Sequence, residues 1–374
     1  MAAKGLEVPT GGPTVVDLFA GCGGMTAGFV KEGFSPELAV EWDLHAAATY
    51  AANFGEEHTR WADISDVSDA EVPKADAVIG GPPCQGFSNL GSKDPDDPRN
   101  RLWHEYLRVV VAANPQVFVL ENVDRFHKSA EFQLLMNELN GGRLKNWKHY
   151  DVGVLNAADY GVPQRRNRTI LVASRVGPIA LPPATHAKEP DGERKPWSTV
   201  HDFLANVPFE VESTQLPEST ETFFGKLVPG VFKSTEIHVG RLPRPESLER
   251  YNFIPPGGGR FDLPPRLLPR CWANKPTGTT DVMGRMRWDR PSLTIRTEFF
   301  KPEKGQYLHP QWDRNDAENR VNRPITHREA ALLQSFDSDF LWCGTKVEIA
   351  RQIGNAVPGL LAQAIARAVR DRIR

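Results

Sequence analysis

The chemistry-bearing residues that stand out first are the thiols. The 374-residue chain has four cysteines, Cys22, Cys84, Cys271 and Cys343. Their spacings are long and irregular, with no Cys-x-x-Cys pair and no histidine at zinc-ligand distance. Neither a disulfide framework nor a bound metal is therefore expected. Cys84 stands in Gly80-Gly81-Pro82-Pro83-Cys84-Gln85-Gly86-Phe87-Ser88, directly after a buried apolar run. The two prolines fix the backbone and glycines flank them, so the thiol sits on a stiff loop at the carboxyl end of a strand. Ligands bind at that edge in open α/β sheets. A cysteine that only fills space needs no such mount; a nucleophile does.

Three further groups of residues fall at equivalent places. Asp17-Leu18-Phe19-Ala20-Gly21-Cys22-Gly23-Gly24 follows the first apolar run. Glycines at a strand-to-helix turn let a cofactor approach the backbone, although a purely structural turn has the same composition. The dinucleotide fingerprint is not met, because Thr26 occupies the place of its third glycine. Glu41 ends the next run, where an acidic side chain can hold ribose hydroxyls, and Trp42 beside it can stack on an adenine. Asp63 either completes that pocket or caps a helix. Glu121-Asn122-Val123 closes the run at 117–120 and offers a carboxylate to the same edge as Cys84. Gln164-Arg165-Arg166-Asn167-Arg168 precedes another run and presents guanidinium groups to a phosphate or a base carbonyl.

These sites need a scaffold, and the first 175 residues supply its pattern. Short apolar runs at 15–20, 38–41, 75–80, 116–121 and 169–173 predict buried strands. Helical stretches such as 102–113 separate several of them, which implies a parallel sheet covered on both faces. From about 177 to 290 prolines and glycines crowd in and periodicity weakens, so a smaller irregular domain is expected there. Regular structure resumes near Ile325. The last segment, 358–374, places Leu361, Ala364, Ile365, Ala368 and Val369 on one helical stripe, with Pro358 suited to its first turn.

Composition narrows the classes. The sequence is 40% hydrophobic and 25% charged, an ordinary globular balance. No run of about 18 apolar residues suggests a membrane span. The first 14 residues lack the apolar centre of a signal peptide, so a cytoplasmic location is expected. The formal net charge is −2, but 226–301 holds 14 Lys and Arg against 7 Asp and Glu. A basic segment in an otherwise acidic chain suits a polyanionic partner, or else a solvated face rich in arginine.

Together with Arg290-Pro291-Ser292-Leu293-Thr294-Ile295 and Gln352-Ile353-Gly354-Asn355-Ala356-Val357-Pro358, these sites resemble the ordered motif set of the DNA cytosine-5 methyltransferases, in the form found in bacterial and phage restriction-modification systems. The resemblance runs from Val15 to Pro358. It implies a doubly wound, Rossmann-like sheet at 1–176, a target-recognition domain at 177–290, and remaining motifs at 291–374 whose last helix returns to the first domain. It implies S-adenosylmethionine as methyl donor, no metal, and a specific double-stranded DNA sequence as substrate. Cys84 would attack carbon 6 of a cytosine flipped out of the helix. Glu121 would contact ring nitrogen 3 and the exocyclic amine, Arg168 the ring carbonyl, and Arg166 would support the loop. The donor would lie against Asp17, Phe19, Ala20, Gly21, Cys22, Gly23, Glu41, Trp42, Asp63, Ile64, Pro82, Leu102, Asn355 and Ala356. DNA would meet Gln85, Ser88, Arg99 and Gln164, with a mobile loop at 85–99 closing over the base. Charge adds Arg241, Arg244, Arg260, Arg266, Arg270, Arg285 and Arg287 as contacts of the recognition domain. A monomer is expected, linked in function rather than in contact to a restriction endonuclease.

Three rival readings differ in testable ways. An amino-methyltransferase presents a polar residue, two prolines and an aromatic, and Gly81-Pro82-Pro83-Cys84 departs from that at both ends. An RNA cytosine methyltransferase would share the motifs, but the stretch between Arg168 and Arg290 is long enough for a DNA-reading domain. A catalytically silent DNA-binding relative would not need Cys84, Glu121 and Arg168 together.

Overall fold

Short strands, most of them apolar, build the centre of the molecule, seen in a computed structural model that describes residues 6–83, 100–273 and 277–373, with the backbone alone for Asn100, Arg101, Cys271 and Ala273. The strands are β1 (Thr14–Leu18), β2 (Ser35–Glu41), β3 (Thr59–Trp61), β4 (Ala77–Gly80) and β5 (Val117–Val123), joined by α1 (Gly24–Lys31), α2 (Leu44–Phe54) and α3 (Asn100–Ala113). After α4 (Ala130–Asn140), β6 (His149–Asn156) and β7 (Asn167–Ser174) complete a seven-stranded sheet of order β3-β2-β1-β4-β5-β7-β6. The first five strands are parallel. β7 runs antiparallel to both β5 and β6, so the sheet is mostly rather than wholly parallel. The expected strands are all present within a few residues of their expected ends. β3 and β6 were not anticipated: β3 has only three residues, and β6 exposes or half-exposes every side chain, leaving no apolar run to read.

Both faces of the sheet are covered, as its alternation requires. Val15, Ile79, Val119 and Val172 point to a layer that includes Phe29 of α1 and Leu361, Ile365 and Val369 of the C-terminal helix Gly359–Ile373. Val16, Leu18, Val78, Phe118 and Leu120 point the other way, onto Tyr106, Val110 and Leu135. The C-terminal helix therefore packs on the sheet beside α1. A Cβ added at Gly28 would lie 2.5 Å from the Ala362 carbonyl carbon, so α1 and that helix touch through backbone.

Residues 177–290 are irregular, as their prolines foretold, yet they do not pack by themselves. Val200, Leu204, Phe232, Ile237 and Met286 share one core with Ile295, Phe299, Tyr307, Ile325, Phe336, Trp342, Ile349 and Ile353. A boundary at 290 thus passes through a continuous apolar cluster. Among the described residues no helix is long and apolar enough to cross a membrane.

Candidate active site and cofactor cleft

The carboxyl ends of β1, β2, β4 and β5 open into one cleft of about 650 Å³. Four sequence groups meet in it: Asp17, Phe19, Ala20, Gly21 and Cys22 after β1; Glu41 and Trp42 at the end of β2; Pro82 beyond β4; and Glu121 on β5 with Arg166 and Arg168 at the start of β7. Asn355 and Ala356, at the end of the helix Lys346–Asn355, form a further wall.

The turn after β1 is shaped by left-handed backbone at Phe19, Gly21 and Gly23, with φ of 58°, 56° and 87°. At Gly23 a side chain is also excluded by space, since its Cβ would fall 2.3 Å from the Phe54 ring. The carboxylate of Glu41 locks this turn to β2. One oxygen accepts from Gly21 N at 2.8 Å, and the other accepts from Asp43 N at 2.8 Å. Burial pushes the Glu41 carboxyl up to about 6. Asp17 accepts from the Thr26 hydroxyl at 2.6 Å, and its burial, against that hydrogen bond, raises it to about 7. Trp42 is 74% exposed, an indole held open to the cleft rather than packed away. Cys22 is buried and its thiol is pushed up to about 12 by burial, so it is a wall of the cleft and not a nucleophile.

At the other end the strand register sets the catalytic geometry. Val123 pairs with Arg168 and Glu121 with Ile170, so Glu121 and Arg168 are diagonal neighbours on one face. Their Oε1 and Nε atoms lie 2.8 Å apart, with both side chains mostly buried. A Cβ at Gly81 would meet Glu121 Oε2 at 2.7 Å, which explains the glycine: the loop backbone runs against the carboxylate. Asn122 Nδ2 donates to Pro82 O at 2.7 Å and ties that loop to β5. Arg166 is fully buried and donates to Ile295 O at 2.9 Å and Gly354 O at 2.8 Å, linking β7 to the helix that carries Asn355. It is a strut beside the site.

Several expected contacts are placed elsewhere. Gly23, Asp63, Ile64 and Leu102 do not line the cleft. Asp63 caps the turn Ile64–Asp66 by accepting from Ser65 N, and Ile64 is buried in the core beneath. Gln164 was expected to meet DNA but is fully buried: its amide donates to Gln334 Oε1 at 2.8 Å and accepts from Ile295 N at 2.9 Å. Arg285 is likewise withdrawn from any DNA. Its guanidinium donates to the carbonyls of Ile254, His309, Val321 and Tyr251. Arg260 is buried too, donating to Thr277 O and Thr279 O beneath the rings of Phe261 and Trp272. The burial of Arg285 and Arg260 has one cause: a guanidinium satisfies several loop carbonyls at once, so charge alone does not separate a strut from a ligand-binding arginine. Arg241, Arg244 and Arg270 are exposed, while Arg266 pairs with Glu249 and Arg287 with Asp289. Cys84, Gln85, Ser88 and Arg99, with the loop at 85–99, lie outside the described residues.

Sequence reasoning missed the rest of the helix wall. Glu348, Arg351 and Gln352 line the cleft with Asn355. The signal was the helical spacing counted back from Asn355. Arg351 reaches Asp43 Oδ2 at 3.5 Å, and His45 Nδ1 lies 3.1 Å from Glu348 Oε1, so this helix and the start of α2 meet across the cleft.

A family model described as C-5 cytosine-specific DNA methylase matches residues 13–371. The chain is 35% identical over 371 residues to the Type II methyltransferase M1.HphI of Haemophilus parahaemolyticus, covering 95% of this chain and 86% of that one. It is 33% identical to the Type II methyltransferase M.XorII of Xanthomonas oryzae pv. oryzae, covering 97% and 85%. Among solved structures, a putative DNA modification methyltransferase encoded within an Escherichia coli prophage matches with a TM-score of 0.67 and 25% identity, covering 96% and 99%. The S. pombe Dnmt2 methyltransferase shares the fold, with a TM-score of 0.56 at 18% identity.

Proposed function

The chain belongs to the C-5 cytosine-specific DNA methylase family, and on that premise we propose which of its residues carry the reaction and what they act on. The enzyme methylates carbon 5 of cytosine in DNA through a covalent cysteine intermediate, the general mechanism of the family. S-adenosylmethionine supplies the electrophilic methyl group. The residues present fit that donor. Glu41 offers a carboxylate at a backbone turn, and Trp42 offers an open indole beside it.

Cytosine carbon 5 is a poor nucleophile, so the ring must be activated first. We assign that step to Cys84, whose thiolate adds to carbon 6 and makes carbon 5 enamine-like. Glu121 holds ring nitrogen 3 and the exocyclic amine, and Arg168 the ring carbonyl. The observation that carries this reading is the 2.8 Å pairing of Glu121 with Arg168 at the cleft end bordered by Gly81, Pro82 and Pro83. Two groups so fixed present an acceptor and a donor to one edge of a planar base at no further cost in order. After methyl transfer a base removes the carbon-5 proton, and Cys84 leaves.

Reaching carbon 6 requires the target cytosine to leave the duplex. The substrate is a specific double-stranded sequence read by residues 177–290, with Arg241, Arg244, Arg270 and Arg287 facing phosphate or base edges. Asn355 and Ala356 complete the donor side. The names of the Type II relatives support a restriction-modification role. In that role the enzyme acts as a monomer and shields DNA from a cognate endonuclease without binding it.

Duplex DNA carrying 5-fluorocytosine at the target tests this directly. Fluorine cannot depart as a proton does, so the adduct should persist and peptide mapping should place it at Cys84. Cys84→Ala should form none. An adduct at another residue, or methylation confined to RNA, would overturn the assignment. Bisulfite sequencing of plasmid DNA carrying the active gene gives the target sequence.

A further inference from the structure

The Trp42 indole stands open to solvent, so whatever fixes its direction acts through its backbone. Three hydrogen bonds hold the stretch 41–43, two of them on the residues either side of Trp42 and one on Trp42 itself. Glu41 accepts from Asp43 N, and Ala62 N donates to Glu41 O at 3.1 Å. The third comes from a side chain: Trp61 Nε1 donates to Trp42 O at 3.0 Å. Trp61 is the last residue of β3 and the register partner of Glu41. It is therefore placed by the sheet directly beside the carboxylate that closes the cofactor turn.

Trp61 is in turn backed by residues far away in sequence. The strands Thr220–Phe223 and Lys226–Pro229 form a hairpin whose two-residue turn is Phe224-Gly225, with φ of 52° and 70°. Such a turn is stiff, because both central residues are confined to the left-handed region. Phe223 and Val228 anchor the hairpin on Ala48 and Ala51 of α2, and Phe224 N donates to Glu56 Oε1 at 2.9 Å. These anchors bring the Phe224 ring to 6.2 Å from the Trp61 ring, tilted by 37°. A tip of the irregular 177–290 segment thus leans on the wall that holds the cofactor turn.

We propose that Trp61, backed by Phe224, is a positioning residue that aims the Trp42 indole at the adenine of the methyl donor. The hairpin then sets donor affinity without touching the donor. The inference rests on the reading of Glu41 and Trp42 as the nucleoside site. It assigns the hairpin a role on the cofactor side of the enzyme in addition to any role on the DNA side.

Three variants of the full chain test it: Trp61→Phe, which keeps an aromatic ring, though a smaller one, and deletes the donor; Phe224→Gly, which deletes the ring and suits the left-handed turn; and Trp42→Ala. The measurements are the Kd for S-adenosylhomocysteine by calorimetry, the donor KM, kcat at saturating donor, and DNA affinity. Trp61→Phe and Phe224→Gly should each raise the Kd and KM about three- to tenfold, the scale of one hydrogen bond or ring contact. kcat and DNA affinity should stay within about twofold. On the Trp42→Ala background neither should cost more, because the group they aim is gone. An unchanged Kd in both variants, beside a raised one in Trp42→Ala, would sink the inference and leave the nucleoside site standing. An unchanged Kd in Trp42→Ala itself would remove both. Equal losses in kcat and DNA affinity, or full effects on the Trp42→Ala background, would also overturn it.

Discussion

Glu121 and Arg168 meet at 2.8 Å although neither is the other's partner in the ladder: Arg168 lies opposite Val123, and Glu121 opposite Ile170. The contact is a diagonal one across two antiparallel strands, which fixes both side chains on one face. Removing either member frees the other, so their effects should not add. Glu121→Gln and Arg168→Ala should each lower kcat by roughly a hundredfold or more, with S-adenosylhomocysteine affinity nearly unchanged. The double variant should be little worse than the poorer single one. Steady-state kinetics on all three variants checks this, and fully multiplicative losses would mean that the two groups act independently.

Glu41 joins two tasks in one carboxylate, because it closes the turn through Gly21 N and Asp43 N while facing the cleft. Glu41→Gln can accept with one side of its head group only. The donor KM should rise by roughly ten- to a hundredfold, as expected for losing a hydrogen bond to a charged group. Burial raises the carboxyl to about 6, so the wild-type KM should climb as pH falls through 6 and this inflection should vanish in the variant. A KM profile identical in both enzymes would argue against a role for this charge.

The contact between α1 and the C-terminal helix makes a purely structural prediction. Gly28→Ala would put a methyl group 2.4 Å from Gln363 N and 2.5 Å from the Ala362 carbonyl carbon, both backbone atoms that cannot rotate away. Overpacking of this kind costs about 1–3 kcal/mol. Urea denaturation should show the loss in midpoint, with donor KM little changed in the folded fraction.

How far the sequence could be read depends on what each residue has to satisfy. The five central strands were legible because burial on both faces demands an unbroken apolar run. β6 was not, because its half-exposed side chains impose no such demand. Motif order brings Cys22, Glu41 and Glu121 to one cleft, since each lies at or just past the carboxyl end of a strand. Gln164, Arg260 and Arg285 were misplaced for the opposite reason. In an irregular segment carbonyl groups lack ladder partners, and a buried amide or guanidinium serves them. Nothing local in the sequence distinguishes that duty from binding phosphate. The Trp61 and Phe224 contact was equally invisible, because it joins a strand end to a hairpin that only the fold brings together.

The two kinds of arginine should separate cleanly on substitution. Arg285→Ala would take the guanidinium away from the carbonyls of Ile254, His309, Val321 and Tyr251, of which Tyr251 O keeps the Ile254 amide as a donor, and a loss of roughly 3 kcal/mol in unfolding free energy is expected. Arg244→Ala and Arg270→Ala, both exposed, should leave the melting temperature alone. Each should instead reduce the salt dependence of DNA binding by about one unit in the log–log slope, the signature of one lost phosphate contact. Slopes unchanged in both would remove these residues from the DNA interface.

Acid should unfold the second half of the molecule early, because three of its buried groups, His309, His327 and Glu329, are shifted in the same direction. Burial pushes His309 and His327 down to about 4. His327 donates through Nε2 to Lys346 O at 2.8 Å, and its Nδ1 is buried without a partner, so a second proton there has no acceptor. Burial alone would raise the Glu329 carboxyl, but Arg323, bound to both its oxygens at 2.7 and 2.8 Å, holds it at about 2. Each group is thus shifted below its unfolded value, and stability so gained is present at neutral pH and lost on acidification. For the histidines the loss runs from about pH 6.5 down to 4, and for Glu329 from about 4.5 down to 2. Each proton taken up on unfolding contributes a slope of about 1.4 kcal/mol per pH unit. His327→Gln, which keeps a donor for the Lys346 carbonyl, should flatten the upper window by up to that amount. Glu329→Gln should flatten the lower one while costing roughly 3 kcal/mol at pH 7, since it leaves the part-buried Arg323 without its carboxylate, holding only the Phe209 and Pro324 carbonyls. Urea midpoints measured from pH 7 to 3 decide between these outcomes, and a His327→Gln profile parallel to the wild type would show that this histidine does not drive the acid transition.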